Sequence, residues 1–199
     1  AAKLLADDEA ALKAALGDAG LIYFSGITLA ILAPEARARL IAAIGARRAS
    51  GALVAFDPNI RPTLWADDRS VVDALTEAAK VSSIVLPTHA DEIPYFDDVD
   101  DDATARRYLA AGCEEVVVKN GADPALVVTG DGLWRVGARK VAEVVDATGA
   151  GDSFNGGYLA ARLAGASPED AAKAGHATAS VVIGHHGALI PKEALNQIT

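Results

Sequence analysis

The sequence predicts an α/β fold in which helices flank a mainly parallel sheet. Short apolar runs such as Leu21 to Ser25 alternate with longer segments of helical periodicity, which is typical of strands joined by crossover helices. The chain has 199 residues, of which 51% are hydrophobic and 23% charged, and this is enough to bury one sizeable core. We therefore expect a single α/β domain over residues 1–199.

Apolar spacing and turn residues predict the elements of the first half. A helix is expected from Asp7 to Ala19, because apolar residues recur at helical spacing before Gly20. The buried strand Leu21 to Ser25 follows, and the helix Pro34 to Ala49 has leucine and isoleucine on one face and arginines on the other. The pattern continues with a strand at Ala52 to Asp57, a loop at Pro58 to Ala66, a helix near Ser70 to Lys80 and a strand at Ile84 to Leu86.

The second half adds a hairpin and two long helices. Glu115 to Asn120 is rich in β-branched residues and is predicted as a strand. Two further apolar runs, Ala125 to Thr129 and Leu133 to Val136, enclose Gly130-Asp131-Gly132 and predict a hairpin. The helices are expected at about Gly149 to Ala164 and Pro168 to Gly184.

The charge balance excludes several classes of partner. The chain has 18 basic and 27 acidic residues, a net charge of −9 and no basic cluster, so nucleic acid and anionic membranes are poor partners. Cys113 is the only cysteine and is expected to pack in the core. The acidic run from Asp97 to Asp102 favours a solvated turn and helix start over a calcium or magnesium site. Without an apolar run of about 20 residues or a leader pattern, we expect a cytoplasmic protein.

The stretch Asp146 to Phe154 has the pattern of a phosphate cradle with a base attached. Gly149 and Gly151 allow the backbone to turn tightly and to point N–H groups at an anion, and the following helix adds its positive dipole end. A carboxylate in such a site repels phosphate, so Asp152 fits the task of accepting a proton from an attacking hydroxyl. The alternative is an ordinary strand-to-helix turn with an N-capping aspartate.

This nine-residue string resembles the second signature of the ribokinase-like (PfkB) carbohydrate kinases. The resemblance implies a ribokinase-like, Rossmann-type sandwich in which Asp152 is the catalytic base and contacts the sugar hydroxyl. It also implies that the amides of Gly149, Ala150 and Gly151 form the anion hole for the transferring phosphoryl group. Asp146 and Thr148 match positions that hold a monovalent cation, such as K⁺, in several relatives.

The segment Phe56 to Pro62 resembles the Asp-Pro-Asn-x-Arg segment of the same family. Asn59 and Arg61 are carried over as substrate and nucleotide contacts, because an arginine fork pairs with a carboxylate or a phosphate oxygen. The alternative is a proline-rich turn with a surface arginine.

Two further strings look like the 2-keto-3-deoxygluconate kinase version of the fold: Thr63-Leu64-Trp65 and Phe24 to Leu29. In the second, Gly26 is predicted to leave room for the sugar. A helix-capping turn at Ser25 or Thr28 explains the same string.

Other expected contacts lie where the family places the nucleotide and its metal. Lys119 and Gly121 follow a strand at the nucleotide position, although Pro124 replaces a second glycine found in relatives. His176 is predicted as a neighbour of the nucleotide, with a solvent-facing or capped histidine as the alternative. Relatives carry Asn-x-x-Glu where this chain has residues 88–92, and there Asp91 is expected to contact Mg²⁺ through water.

The resemblance implies transfer of the ATP γ-phosphoryl group to a hydroxyl of a sugar or sugar acid, with 2-keto-3-deoxygluconate as the preferred substrate. Fructokinase or ribokinase-type activity and a noncatalytic nucleotide-binding fragment are the alternatives. The expected cofactors are ATP and Mg²⁺, with K⁺ as a further candidate. The match covers only the C-terminal two thirds of a typical member, so the N-terminal strands and the lid, through which relatives often dimerise, are expected to be missing here. A nicotinamide-dependent oxidoreductase is disfavoured, because no Gly-x-Gly-x-x-Gly follows an early strand.

Overall fold

The computed structural model describes residues 2–197 and confirms the α/β prediction. The helices are α1 (Ala2–Asp7), α2 (Glu9–Leu16), α3 (Gly26–Ile31), α4 (Pro34–Ala49), α5 (Asp68–Lys80), α6 (His89–Glu92), α7 (Asp101–Ala110), α8 (Ala150–Leu163) and α9 (Pro168–Val182). The strands are β1 (Leu21–Ser25), β2 (Leu53–Asp57), β3 (Ile84–Val85), β4 (Glu115–Val118), β5 (Ala125–Thr129) and β6 (Gly132–Val136). Short 3₁₀ segments occupy Pro62–Leu64 and Lys192–Gln197.

The strands form one six-stranded sheet in the order β1-β2-β3-β4-β5-β6. Strands β1 to β4 pair in parallel, with Leu21 opposite Leu53, Ala55 opposite Ile84, and Ile84 opposite Glu115. Each parallel connection contains at least one helix, as crossover geometry requires. The carboxyl ends of these four strands therefore lie at one edge of the sheet, where α/β folds place ligands.

The described chain divides into two compact units. The first contains residues 2–118 and 128–131, and the second contains residues 119–127 and 132–197. The expectation of a single domain stays a prediction.

The core of the first unit is built on β2. Val54, Ala55 and Phe56 are fully buried, and Phe56 stacks on Phe24 of β1 with ring centroids 4.7 Å apart. Helix α5 begins after the cap residue Asp67 and buries an apolar face that includes Leu75. A parallel strand covered on both faces becomes continuously apolar, which explains the unbroken run in β2.

The second unit is organised by close packing of α8 on α9. A Cβ at Gly175 would lie 2.9 Å from the Phe154 ring, and one at Gly157 would collide with the side chain of Thr178. Glycine at both positions therefore lets the two helix backbones approach closely. Phe154 and Tyr158 fill this interface with stacked rings 6.1 Å apart.

The first helical segment differs from the prediction. The expected helix from Asp7 to Ala19 corresponds to α2, which starts at Glu9 because Asp8 has an extended backbone and accepts a hydrogen bond from the Ala11 amide at 3.0 Å. A separate helix, α1, precedes it. An N-cap of this kind starts a new helix at the next residue.

Four helices were not predicted as such, and other boundaries moved by one to three residues. These helices are α1, α3, α6 and α7. The acidic run does start a helix as expected, since Asp100 caps α7 by accepting from the Ala103 amide at 2.7 Å. Within residues 2–197, no helix is long and apolar enough to cross a membrane, and no cluster of three or more His, Cys, Asp or Glu is arranged to hold a metal.

Candidate active site

The turn before α8 has the backbone conformation that the glycine pattern predicts. Gly149 occupies the N-cap position with φ 77° and ψ 5°, in the left-handed region that glycine tolerates. A Cβ at this position would lie 2.6 Å from the Cβ of Ala188, so space as well as conformation requires glycine. The Gly149 carbonyl accepts from the Ser153 amide at 2.9 Å and closes the first turn of the helix.

This turn presents backbone donors at the amino end of α8. First-turn amides of a helix have no acceptor within the helix, and the helix dipole favours an anion beside them. The Ala150 amide donates to the Ala147 carbonyl at 3.2 Å, so it would have to share its hydrogen with an anion. The amides of Gly149 and Gly151 are the simpler candidates for the predicted anion hole.

Asp152 lies in the first turn of α8 and is exposed to solvent. The N-cap of this helix is Gly149 and makes no side-chain cap bond, so Asp152 is not the capping residue that the alternative interpretation required. Asp152 directly follows Gly151 in the chain, and a carboxylate at this position is a candidate proton acceptor for a hydroxyl. The catalytic role itself stays a prediction.

Behind the turn, a buried lysine approaches the same helix. Lys119 follows β4, is 8% exposed, and donates from Nζ to Oδ1 of Asn155 at 3.1 Å. Its Nζ also lies 3.6 Å from the position that a Cβ on Gly151 would occupy. Lys119 was among the predicted site residues, but Asn155 was not, because its only sequence signal is that of a polar residue on the apolar face of a helix.

The loop before the turn is held by Asp146. The carboxylate accepts from the Thr148 amide at 2.8 Å and from the Gly187 amide at 2.9 Å. Hydrogen bonds from the Thr148 side chain, the Thr148 amide and the Gly187 amide lower the pKa of Asp146 to about 2. The protein's own hydrogen-bond donors thus account for the ionised state of Asp146. The monovalent cation that Asp146 and Thr148 are predicted to hold stays a prediction.

Two other predicted nucleotide residues in this unit have structural explanations. Gly121 lies in the turn after β4 with φ 63°, again a conformation that favours glycine. His176 is 8% exposed, its Nε2 lies 3.0 Å from the Val136 carbonyl oxygen, and its ring meets Phe154 edge-on at 5.0 Å. Burial lowers the pKa of His176. Neither observation tests the predicted contact with nucleotide.

In the first unit, the structure brings Gly26 and the segment after β2 together. A Cβ on Gly26 would overlap the carbonyl oxygen of Pro58, so this glycine is required by the passage of that backbone. The Pro58 backbone thus fills the space next to Gly26 that was expected to receive a sugar. The predicted sugar contact of Gly26 has no support from this packing and stays a prediction.

The segment after β2 has a fixed shape. Asp57 is 2% exposed at the end of β2, and its Oδ1 accepts from the Asn59 amide at 3.2 Å. Asn59 has φ 35°, the only positive φ of a non-glycine residue in the described chain. Arg61 is exposed and donates one bond, from Nη1 to the Ile60 carbonyl at 3.0 Å. A guanidinium has five N–H donors, so Arg61 retains capacity to bind an anion.

Asp91 lies on the short helix α6 beside a buried ionic cluster that sequence analysis missed. The next residue, Glu92, has a fully buried side chain that accepts from Arg107 Nη2 at 2.7 Å and from the Tyr108 hydroxyl at 2.9 Å. Asp98 also accepts from Arg107, at 2.7 Å. Burial raises the pKa of Glu92 to about 7, although the attraction of Arg107 opposes this. The predicted Mg²⁺ contact of Asp91 remains a prediction.

Comparison with protein families and with curated proteins gives two findings. A family model described as pfkB family carbohydrate kinase matches residues 1–195. The 2-dehydro-3-deoxygluconokinase of Escherichia coli strain K12 is 44% identical over 195 residues, which are 96% of this chain and 63% of that relative. The chain thus spans less than two thirds of the relative it matches.

Solved structures agree on the fold. The PfkB protein from Polaromonas sp. JS666 superimposes with a TM-score of 0.75 at 32% identity, over 84% of this chain and 54% of its own. A double mutant of the fructokinase from Vibrio cholerae O395, in a form bound to fructose, ADP and potassium ion, gives a TM-score of 0.77 at 25% identity. That match covers 89% of this chain and 59% of the fructokinase.

Proposed function

The chain belongs to the pfkB family of carbohydrate kinases, and on that premise we propose that the protein transfers the γ-phosphoryl group of ATP to a hydroxyl of a sugar acid. The observation that carries the proposal is the amino end of α8, where an exposed Asp152 follows a left-handed Gly149 and does not cap the helix. A base next to backbone donors is the arrangement that phosphoryl transfer needs.

Each residue of this turn has a distinct task in the proposed reaction. Asp152 accepts the proton of the attacking sugar hydroxyl as the oxygen approaches phosphorus. The amides of Gly149 and Gly151, with a shared contribution from Ala150, stabilise charge on the phosphoryl oxygens. Because these donors belong to a turn that is already folded, they need no rearrangement when charge develops.

The proposed substrate is 2-dehydro-3-deoxygluconate, which is the same compound as 2-keto-3-deoxygluconate. The support is the 44% identity to an enzyme of that name. Arg61 is exposed, and its guanidinium suits the carboxylate of a sugar acid or a phosphate oxygen. We propose Asn59 and Gly26 as further substrate contacts of the first unit.

ATP and a divalent cation complete the proposed reaction. We propose Lys119, Gly121 and His176 as the nucleotide neighbours. For location and partners, we propose a soluble cytoplasmic kinase that acts on small molecules. Mg²⁺ would neutralise the β- and γ-phosphate charges, with Asp91 as a water-mediated contact. The oxygens of Asp146 each accept one amide hydrogen and retain lone pairs, so a monovalent cation beside Asp146 and Thr148 fits the donor set.

The test is ADP release by this 199-residue chain with MgATP. Parallel reactions contain 2-keto-3-deoxygluconate, fructose, ribose or no sugar, and each is repeated with Asp152→Asn and with Asp170→Asn. Asp170 is the matched control, since it is an exposed carboxylate in the first turn of α9. We expect release that depends on the sugar acid, a loss of about 10² to 10⁴ in turnover for Asp152→Asn, and no change for the control. Equal turnover in wild type and Asp152→Asn would remove Asp152 from the mechanism.

A second candidate is a nucleotide-binding fragment without turnover. The observation that favours it is the length of the match, which covers 63% of the Escherichia coli enzyme. Residues that exclude water and position the sugar contribute much of a kinase's rate. ATP binding by this chain without sugar-dependent ADP release would select this candidate.

A further inference from the structure

Lys119, a predicted nucleotide neighbour, contacts Asn155, a residue that the sequence did not single out. Both belong to the second unit, both are buried, and Lys119 Nζ lies 3.1 Å from Asn155 Oδ1. Asn155 follows Gly151 by four residues, so the two share one face of α8, one turn apart. Helix side chains tilt toward the amino end, which directs the Asn155 amide toward Gly151.

The placement brings a positive charge to the back of the candidate anion hole. The Lys119 ammonium lies 3.6 Å from the site of a Cβ on Gly151, an ordinary contact distance, so its charge lies close to the Gly151 backbone. A lysine side chain is a flexible stem of four carbons, so a fixed hydrogen-bond acceptor is needed to hold its ammonium at one point. Burial of an ammonium costs free energy unless hydrogen bonds or a counter-charge compensate it.

We propose that Asn155 is a positioning residue that holds the Lys119 ammonium beneath the α8 turn, where the ammonium strengthens binding of the nucleotide phosphates. The inference rests on the proposed function, because it assigns the anion of that turn to ATP. Asn155 touches neither nucleotide nor sugar in this account and acts only through Lys119. An amide suits the role because its oxygen accepts a hydrogen bond from the ammonium and leaves the positive charge in place. A carboxylate would neutralise that charge.

The test is a double-mutant cycle read by binding. Affinities for ATP and for adenosine are measured by calorimetry on wild type, Asn155→Ala, Lys119→Met and the double variant. Hydrogen bonds that involve a charged group commonly contribute enough to change an affinity roughly tenfold or more. We therefore expect Asn155→Ala to weaken ATP at least about tenfold and to leave adenosine unchanged. In the Lys119→Met background, Asn155→Ala should have no further effect on ATP.

A stability control separates positioning from loss of structure. Tyr158→Phe alters another buried polar side chain of the same helix and should leave the ratio of ATP to adenosine affinity unchanged. If Asn155→Ala does not fold, Asn155→Ser, which retains a polar side chain but shortens the reach, takes its place in the cycle.

The outcomes distinguish the inference from the function it rests on. Equal losses for ATP and adenosine, or an undiminished effect of Asn155→Ala when Lys119 is absent, would overturn the positioning role while ATP binding stands. A wild-type chain that binds no ATP would overturn the proposed function and this inference together.

Discussion

Replacing Arg107 by methionine should destabilise the first unit in a pH-dependent way. Arg107 holds Glu92, whose side chain is fully buried, and also Asp98, each at 2.7 Å. Its guanidinium stacks over the Phe96 ring with the central carbon 3.6 Å from the ring centroid. Methionine keeps much of the apolar contact with Phe96 but removes the charge, so the Tyr108 hydroxyl remains as a hydrogen-bond donor to Glu92.

The size and sign of the effect follow from the pKa of Glu92. Burial raises that pKa from an ordinary 4.5 to about 7, so keeping Glu92 ionised already costs the wild type roughly 3 kcal/mol at about 1.4 kcal/mol per unit. Because the folded pKa lies above the unfolded one, the native state binds this proton more tightly. The contribution of Glu92 to stability therefore declines as pH rises from about 4.5 to about 7.

Removing Arg107 deprives Asp98 of its ion-pair partner at both pH values, and it adds a pH-dependent cost where Glu92 is charged. Breaking a buried ion pair on one side costs about 3–5 kcal/mol, a large share of a typical stability of about 5–15 kcal/mol. At pH 5 Glu92 is protonated in the native state of both proteins, whereas at pH 8 the wild type holds it ionised. Because Glu92 in Arg107→Met can take up a proton at pH 8, its additional loss there is limited to about 1.4 kcal/mol, one pKa unit above the wild-type pKa of about 7.

The assay is urea unfolding followed by circular dichroism at pH 5 and pH 8. Arg106→Met is the matched control, since this neighbouring arginine is largely exposed and lies 3.8 Å from Asp100, and it should cost less than about 1 kcal/mol. The variant Glu92→Gln/Arg107→Met removes the buried charge and should recover stability at pH 8. Equal losses at both pH values, without recovery in the double variant, would refute the account of Glu92 as a buried charge.

Two further predictions concern packing. Gly26→Ala should destabilise the chain by more than about 3 kcal/mol, because the new Cβ overlaps the Pro58 carbonyl oxygen. Gly20→Ala is the control and should change the stability little, because no atom lies within 4 Å of its new Cβ. Thermal unfolding of the two variants measures this difference. Cys113 should react slowly with a thiol reagent at pH 8 in the native state and quickly in urea, because burial raises the pKa of its thiol to about 12; equal rates would contradict its buried position.

Local signals in the sequence were sufficient for most of the fold. The strand Leu21–Ser25 and the helix Pro34–Ala49 have the predicted bounds, since apolar spacing and Pro34 at the first helical turn fix them locally. The start of α2 was predicted too early because two adjacent aspartates, Asp7 and Asp8, both fit a cap. Only the backbone shows which one is used.

The candidate site was predictable where its residues are adjacent and unpredictable where they are distant. The turn from Gly149 to Asp152 is one continuous string, and glycine spacing indicated its conformation. The partners Glu92 and Arg107 are 15 residues apart, and Lys119 and Asn155 are 36 apart, so no periodicity could pair them. Such pairs are decided by tertiary packing, which a single sequence does not display.

The left-handed residue after β2 has a consequence for how a ligand would be received. Asn59 retains φ 35° because its amide is tied to Asp57, whose own side chain is buried. A chain already constrained in this way loses little conformational entropy when a small molecule arrives. The rate of ligand binding at this segment would then be limited by diffusion and by desolvation of the ligand rather than by folding of the loop. Solutes that favour ordered over flexible chains should therefore change the ligand affinity only weakly.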